Sequence, residues 1–174
     1  PGVRACAATA LGSYVEQSEL GRLAPELVER AVIALVAAAG NPAEDVLVRR
    51  RATESAGYAS PAVADPVIEA ALRSDAHPLR AGALRAIGNA ADDRWAPEVM
   101  RGLEAADQEL RFEAARAAGE LQLGDAVRRL VELAAGGDRE VALEAIWALG
   151  EIGGTPARRA LDRLLADADE DDVT

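Results

Sequence analysis

Apolar residues recur at helical spacing along most of this chain. A first helix is marked by Leu110, Ala114, Ala117 and Ala118. A second helix, after a turn at Gly124, is marked by Val127, Leu130, Leu133 and Ala134. No long run alternates apolar and polar residues as a half-buried strand would. The pattern therefore predicts helix pairs joined by short turns.

The helix pair returns along the chain with a period of 31 residues. The motif that opens at Leu110 recurs at Val141, and stepping back by the same interval leads to Leu79 and Val48. A constant period of this size is typical of stacked supersecondary units. We predict a single array of five units, which cover residues 1–40, 41–75, 76–106, 107–137 and 138–168.

The two ends of the predicted array differ from its middle. The first unit is longer, because its opening Val3 precedes Val48 by 45 residues, and the extra residues predict a loop at 18–21 and a long second helix over 23–39. Residues 169–174 are either the start of a further unit or an acidic tail. An array cut at this point exposes an apolar end, so we expect end-to-end self-association.

Short polar residues mark where several helices are predicted to begin. Asp107 and Asp138 precede first helices, where a carboxylate accepts hydrogen bonds from free backbone amides. Asp125 is predicted to cap a second helix in the same way. Asn41 with Pro42 predicts another helix start, because proline suits the first helical turn.

The segment LRFEAARAAGELQLGDAVRRLVELAAGGD, residues 110–138, resembles HEAT repeats. It is similar to the short HEAT-like type also found in phycobilisome lyases. The shared pattern is a capping Asp, Val/Leu-Arg, two small residues, Ala/Leu-Gly, a Gly/Asp turn and an Ala-Leu-Leu second helix. The resemblance implies an all-α, right-handed superhelix of about five helix-turn-helix repeats. It also implies that first helices line the convex side and second helices the concave side.

Composition and charge narrow the function classes. Half of the 174 residues are apolar but only 3% are aromatic, so the core is built from small side chains. The net charge of −11 disfavours binding to nucleic acid or to an anionic membrane. No run is long enough for a transmembrane helix and no signal peptide is recognisable, so we expect a cytoplasmic chain, although a removed targeting segment stays open. Cys6, on an alanine-rich helix, is expected to be buried.

The sequence offers no candidate catalytic, metal-binding or cofactor-binding residues. Metal sites need clustered His, Cys or carboxylate ligands, and the chain has one His and one Cys. His77 precedes Pro78 at a predicted helix start, which favours a role in the turn. No serine is paired with a base, and the glycines recur at repeat turns and do not form a phosphate-binding loop.

The charged residues of the second helices change from acidic in the first units to basic in the last two. Stacked arginines can clamp carboxylates by paired hydrogen bonds. We therefore predict a contact surface for an acidic segment of a partner, formed by Arg101, Arg128, Arg129, Arg158, Arg159, Arg163 and Trp95. The alternative is an ordinary solvated face with pairs such as Arg128 with Glu132. Packing is the favoured role for Trp95, and also for Trp147.

A second set of arginines directly follows the residue that opens the first helix in four of the five predicted units. These are Arg4, Arg49, Arg80 and Arg111. Because they recur from unit to unit, they predict a structural ladder to carboxylates in the turns. Residues that contact a partner usually vary between units.

The predicted function is a non-enzymatic scaffold or adaptor that binds another protein along its concave face. Solenoids expose much surface and lack a deep enclosed cleft. The alternatives are an accessory domain of a chromophore lyase or other enzyme and, less favoured, nucleic-acid binding. The acidic total and the near absence of aromatic platforms oppose the last.

Overall fold

A computed structural model of the chain describes residues 2–171, with side chains through Ala166. The helices form two compact units, each of which contains several of the predicted repeats. The first unit ends at Ala91 and the second begins at Asp92. The first unit contains five helices, which are α1 (Gly2–Glu19), α2 (Pro25–Gly40), α3 (Val46–Ala56), α4 (Pro61–Leu72) and α5 (His77–Ala90). Helix α3 packs between α1 and α5, while α2 and α4 lie beside them and touch each other.

The second unit contains five further helices and two short 3-10 turns. The helices are α6 (Ala96–Leu103), α7 (Gln108–Glu120), α8 (Val127–Ala134), α9 (Arg139–Ile152) and α10 (Gly154–Asp171). Helix α7 packs against α9, and α6, α8 and α10 lie beside them. Between residues 2 and 171 there is no strand, so the predicted all-α class with neighbouring helix pairs is confirmed. The predicted start of a further unit or acidic tail, residues 169–174, extends beyond the described residues.

Two of the four predicted helix starts agree with the caps observed. Asp107 and Asp138 cap α7 and α9, accepting from the amides of Leu110 and Val141. The start at Asn41 is wrong: Asn41 follows the end of α2, and Asp45 caps α3 by accepting from Leu47. In the observed turn, Asn41 uses its side chain to accept from the amide of Ala43.

The predicted cap at Asp125 is also wrong. Asp125 lies inside a 3-10 turn, Gly124–Ala126, and α8 begins only at Val127. The cap position is therefore occupied by Ala126, which has no side chain that can accept a hydrogen bond. A tight turn has replaced the first helical turn that the sequence pattern suggested.

Successive first helices approach each other closely at a glycine near the end of each helix. A Cβ placed on Gly57, at the C-cap of α3, would lie 2.4 Å from the carbonyl oxygen of Ala86 in α5. A Cβ on Gly119 of α7 would lie 2.9 Å from the Cα of Ala148 in α9. The two pairs have the same spacing along the chain. The recurring glycine is therefore required by helix packing, because even a methyl group does not fit.

The predicted arginine ladder exists, but its acceptors are mainly backbone carbonyls. Arg49 donates to Ala39 at 3.2 Å, and Arg80 donates to Ser74 at 2.8 Å and to Asp75 at 3.0 Å. Arg111 donates to Ala105 at 2.9 Å and to Ala106 at 2.7 Å. Carboxylate partners occur as well, since Arg4 pairs with Glu44 and Arg111 lies 3.6 Å from Asp138.

These carbonyls lie at or just after the end of the preceding second helix. The last carbonyls of a helix have no hydrogen-bond donor within it and carry partial negative charge. A guanidinium group supplies the missing donors and a positive charge. The ladder therefore fixes the turns that lead into α3, α5 and α7.

Replacing Arg111 by alanine is expected to lower the free energy of unfolding by about 1.5–3 kcal/mol, the usual value for hydrogen bonds to a charged group. Its guanidinium holds two carbonyls and is largely shielded from solvent. Urea unfolding followed by circular dichroism measures the change. The control is Arg128→Ala, at an exposed arginine of the same unit. Equal effects of the two substitutions would contradict the ladder.

Candidate functional site

Four arginines of the second unit extend into solvent from α8 and α10. Arg128 and Arg158 have side chains that are 90% and 83% exposed. Arg159 and Arg163 are exposed as well. Helices α8 and α10 touch each other, and Arg128 and Arg159 are one repeat period apart. We call Arg128, Arg158, Arg159 and Arg163 the arginine surface.

The arginine surface is only loosely tied to neighbouring carboxylates. Arg128 lies 3.8 Å from Glu132, and Arg158 lies 3.9 Å from Asp162. Ion pairs at such distances between exposed side chains contribute about 0–1 kcal/mol. The pair of Arg128 with Glu132, expected for an ordinary solvated face, is therefore present but weak enough to exchange for a partner's carboxylate.

An open groove of about 760 Å³ borders this surface. It lies where α9 turns into α10, and its lining includes Arg158, Arg159, Asp162 and Thr155. Gly153 and Gly154 form the turn with positive φ angles of 63° and 73°, which residues with a Cβ rarely adopt. The groove thus offers two guanidinium groups and a hydroxyl beside glycine backbone, a suitable set of donors for a carboxylate.

The structure gives Arg101 and Arg129 different roles from the rest of the predicted set. Arg129 is mostly shielded, donates to the carbonyl of Leu103 at 3.3 Å, and pairs with Glu104 and Glu132 at 3.2 and 2.8 Å. It therefore ties α8 to the end of α6. Arg101 is exposed but pairs with Glu98 at 2.6 Å on its own helix.

Trp95 does not belong to an exposed contact surface. Its side chain is only 8% exposed, and it lies in the 3-10 turn that precedes α6. The guanidinium of Arg94 lies 5.4 Å from the ring centre, a cation–π contact. We therefore remove Trp95 from the predicted set, because a buried ring presents little area to a partner.

Trp147 combines the packed and the exposed roles. Its ring lies against Gly119 on α7, and Arg116 stands 5.6 Å from the ring centre. Even so, 38% of the residue remains exposed.

The expected burial of Cys6 is wrong, since its thiol is exposed on α1. The amphipathic pattern of α1 is weak because alanine occupies both faces, so it gave no guide to the inward side.

The two arginines of α8 lower the pKa of Glu132. The hydrogen bond from Arg129 is the main cause of the lowered pKa; desolvation, the next cause in size, raises it, and the positive charges of Arg128 and Arg129 lower it further. A lowered pKa means that the ionised carboxylate is favoured in the folded chain. Its contribution to stability is therefore present above the ordinary glutamate pKa and is lost as the pH falls through the lowered value.

Replacing Arg129 by glutamine is expected to move the Glu132 titration midpoint up towards the ordinary glutamate value, because the main hydrogen bond is lost. Carboxyl carbon NMR shifts measured against pH give that midpoint. Arg101→Gln, which removes an arginine that does not contact Glu132, is the control. An unchanged midpoint in Arg129→Gln would show that another group holds the pKa down.

The sequence reasoning missed an apolar groove in the first unit. This groove of about 770 Å³ lies between α2 and α4, and its lining includes Val32, Ile33, Val36, Val63 and Val67. The signal was present in the run 31–39, which is apolar on every side of α2. A helix that is apolar all round needs cover on every face or leaves apolar surface in solvent. The groove is suited to apolar side chains and lacks an acid–base pair.

A metal site and a membrane-spanning helix each have requirements that the described residues do not meet. Among residues 2–166, no three His, Cys, Asp or Glu side chains come together as metal ligands would. His77 begins α5, in agreement with the predicted role at a helix start. Within the described part of the chain, no helix combines the length and the hydropathy needed to cross a membrane.

No curated protein sequence matches the chain. A solved structure and a family model do match it, and both agree with the helical architecture. The fold is similar to the crystal structure of an engineered protein from the Northeast Structural Genomics Consortium. That similarity has a TM-score of 0.54 and 23% identity, and covers 93% of this chain and 78% of the other. At that identity the likeness shows the fold alone.

The family model for HEAT repeats matches residues 64–138 and 96–174. The match does not separate the phycobilisome-lyase type from other HEAT repeats, so that finer resemblance stays a prediction. Together the matched ranges span well over half of the chain, and they include the segment on which the resemblance was first noted. The chain therefore belongs to the HEAT-repeat family.

Proposed function

We propose that the chain is a non-enzymatic interaction module that binds an acidic segment of another protein through the arginine surface. The observation that carries this proposal is the exposure of four arginines on two neighbouring helices, two of which, Arg128 and Arg158, form only long ion pairs. Paired guanidinium groups match the geometry of carboxylates, so a segment with several Asp or Glu residues is the partner they suit best.

The charge of the surroundings limits how such a partner is recognised. Most of the excess acidic residues of the chain lie after Asp92, in the same unit as the arginine surface. A net negative unit does not attract an acidic segment from a distance. Recognition therefore rests on short-range contacts at the arginines, and these are weakened but not abolished by salt.

A direct test uses a short fluorescent peptide rich in glutamate, with the glutamine version as its control. Binding is followed by fluorescence anisotropy. The double substitution Arg128→Glu and Arg159→Glu is expected to weaken binding by about tenfold or more, since two attractions of up to about 1 kcal/mol become repulsions. Helicity measured by circular dichroism should not change.

A matched control reverses two exposed arginines of the first unit, Arg30→Glu on α2 and Arg73→Glu at the end of α4. It changes the net charge by the same amount but leaves the arginine surface intact. Equal weakening by both variants would show a nonspecific charge effect and contradict the proposal. Failure of the glutamate peptide to bind the unchanged chain would contradict it as well.

The absence of enzymatic activity is part of the same proposal. Its support is that the one histidine of the sequence, His77, begins α5 and lines neither groove described above. A cytoplasmic location also remains a prediction from the sequence, to be checked by cell fractionation.

A further inference from the structure

Two first helices each present an apolar stripe that no described element covers. On α9 the exposed residues recur three and four positions apart and form the α9 stripe, which consists of Leu143, Ile146, Trp147 and Gly150. On α1 the α1 stripe consists of Val3, Cys6, Ala7, Ala10 and Tyr14. Exposed apolar stripes of this kind mark surfaces that associate.

The close contacts inside each unit show how one first helix receives the next. Gly12 meets Ser55, Gly57 meets Ala86, and Gly119 meets Ala148; a Cβ placed on each glycine would lie less than 3.0 Å from the facing residue. In the repeat register, Gly150 of α9 is equivalent to the glycine of each pair. Ala10 of α1 is equivalent to the small residue that the glycine receives.

The same register places Cys6 against the α9 stripe. Arg50 is equivalent to Leu143, and Gly82 is equivalent to Cys6. A Cβ on Gly82 would lie 3.0 Å from Cγ of Arg50 and 3.7 Å from its Cα. If the α1 helix of another chain packed on α9 as α5 packs on α3, Cys6 would take the place of Gly82 and Leu143 the place of Arg50. The two side chains would then lie within disulfide distance.

We propose that the α9 stripe of one copy packs on the α1 stripe of a second copy, with Gly150 opposite Ala10. The contact continues the packing of first helices already present within each unit, so a second copy of this chain is the occupant that fits both stripes. It joins two different surfaces, so every added copy leaves one stripe of each kind free and the assembly grows with concentration. A single helix–helix face is small, so association is weak and reversible.

The test mixes two single-cysteine chains under mild oxidation. One is the unchanged chain with Cys6, and the other is Cys6→Ser with Leu143→Cys, carrying a tag that changes its size. The proposal predicts a disulfide between the two chains in the mixture and none in either chain alone. Cys6→Ser with Leu165→Cys, at an exposed leucine of α10, is the control and should not be trapped.

Three results would overturn the proposal. Linking of the unchanged chain to itself would show a two-fold contact through α1, and linking of the Leu143→Cys chain to itself would show one through α9. Trapping of the Leu165→Cys control as efficiently as the Leu143→Cys chain would show random collision.

A second measurement needs no disulfide. Light scattering should show a mass that rises with protein concentration, and Ile146→Asp should abolish the rise while helicity stays the same. A strict monomer over the whole range contradicts the proposal. Because no peptide ligand is involved, this outcome leaves the proposed function of the arginine surface untouched.

Discussion

Replacing Gly57 by alanine is expected to lower the free energy of unfolding by about 3 kcal/mol, near the upper end for overpacking of a close contact. The added methyl group would lie 2.4 Å from the carbonyl oxygen of Ala86 and 2.8 Å from its Cα. These are backbone atoms of α5, so no side chain can rotate out of the way. Helix α3 must move away from α5, and contacts along both helices are lost.

The matched control is alanine at Gly150, the same repeat position three periods later. A Cβ there meets nothing within 4 Å, so alanine should stabilise the chain by about 0.5–1 kcal/mol through its higher helix propensity. Chemical denaturation of both variants gives the two values. A result in which Gly57→Ala and Gly150→Ala have the same sign would show that the glycine is not required for close packing.

Replacing Leu130 by alanine is expected to cost about 2–5 kcal/mol, because the lost methyl groups leave a cavity that the surrounding helices fill only partly. Leu130 is 0% exposed on α8 and belongs to the apolar face predicted from the sequence. Urea denaturation of the variant measures the loss. The size of the effect reflects a core made of small side chains, in which one leucine fills much of the space.

The control for Leu130 is the same substitution at Leu165 on α10. Leu165 is 67% exposed, so its removal should change the free energy of unfolding by less than about 0.5 kcal/mol. Similar losses at the two positions would contradict the assignment of the inner face. A larger loss at Leu165 would mean that the exposed side of α10 is covered in solution.

The helix pairs were predictable because the period and the caps are local features. Asp107 and Asp138 cap their helices through amides three residues away, and such contacts are visible in the sequence. The helix starts predicted at Asp125 and Asn41 were wrong because turns use the same short polar side chains as helix starts do. The sequence does not show which of the two wins.

Contacts between distant segments were harder to predict. The recurrence of Arg80 and Arg111 indicated a ladder, but the carbonyl acceptors depend on where the preceding helix ends. The recurring glycines were seen as turn residues, although their function is to let two helices touch. Periodicity shows that a position matters, whereas the contact that makes it matter appears only in three dimensions.

The candidate site was predicted in part. The exposure of Arg128 and Arg159 agrees with a contact surface, which itself stays a prediction. The burial of Trp95 and the shielding of Arg129 depend on neighbours far along the chain. The apolar groove beside α2 could have been found from the sequence, because a helix without a polar side calls for a partner.

The stacking of first helices at the repeat spacing is tested most directly by nuclear Overhauser contacts. In a carbon-edited spectrum, the α protons of Gly57 should show contacts with Ala86, and those of Gly119 with Ala148, because the helix backbones touch there. Both contacts, found at the same separation along the chain, are the predicted result. Their absence from an assigned spectrum of the folded chain would contradict the account.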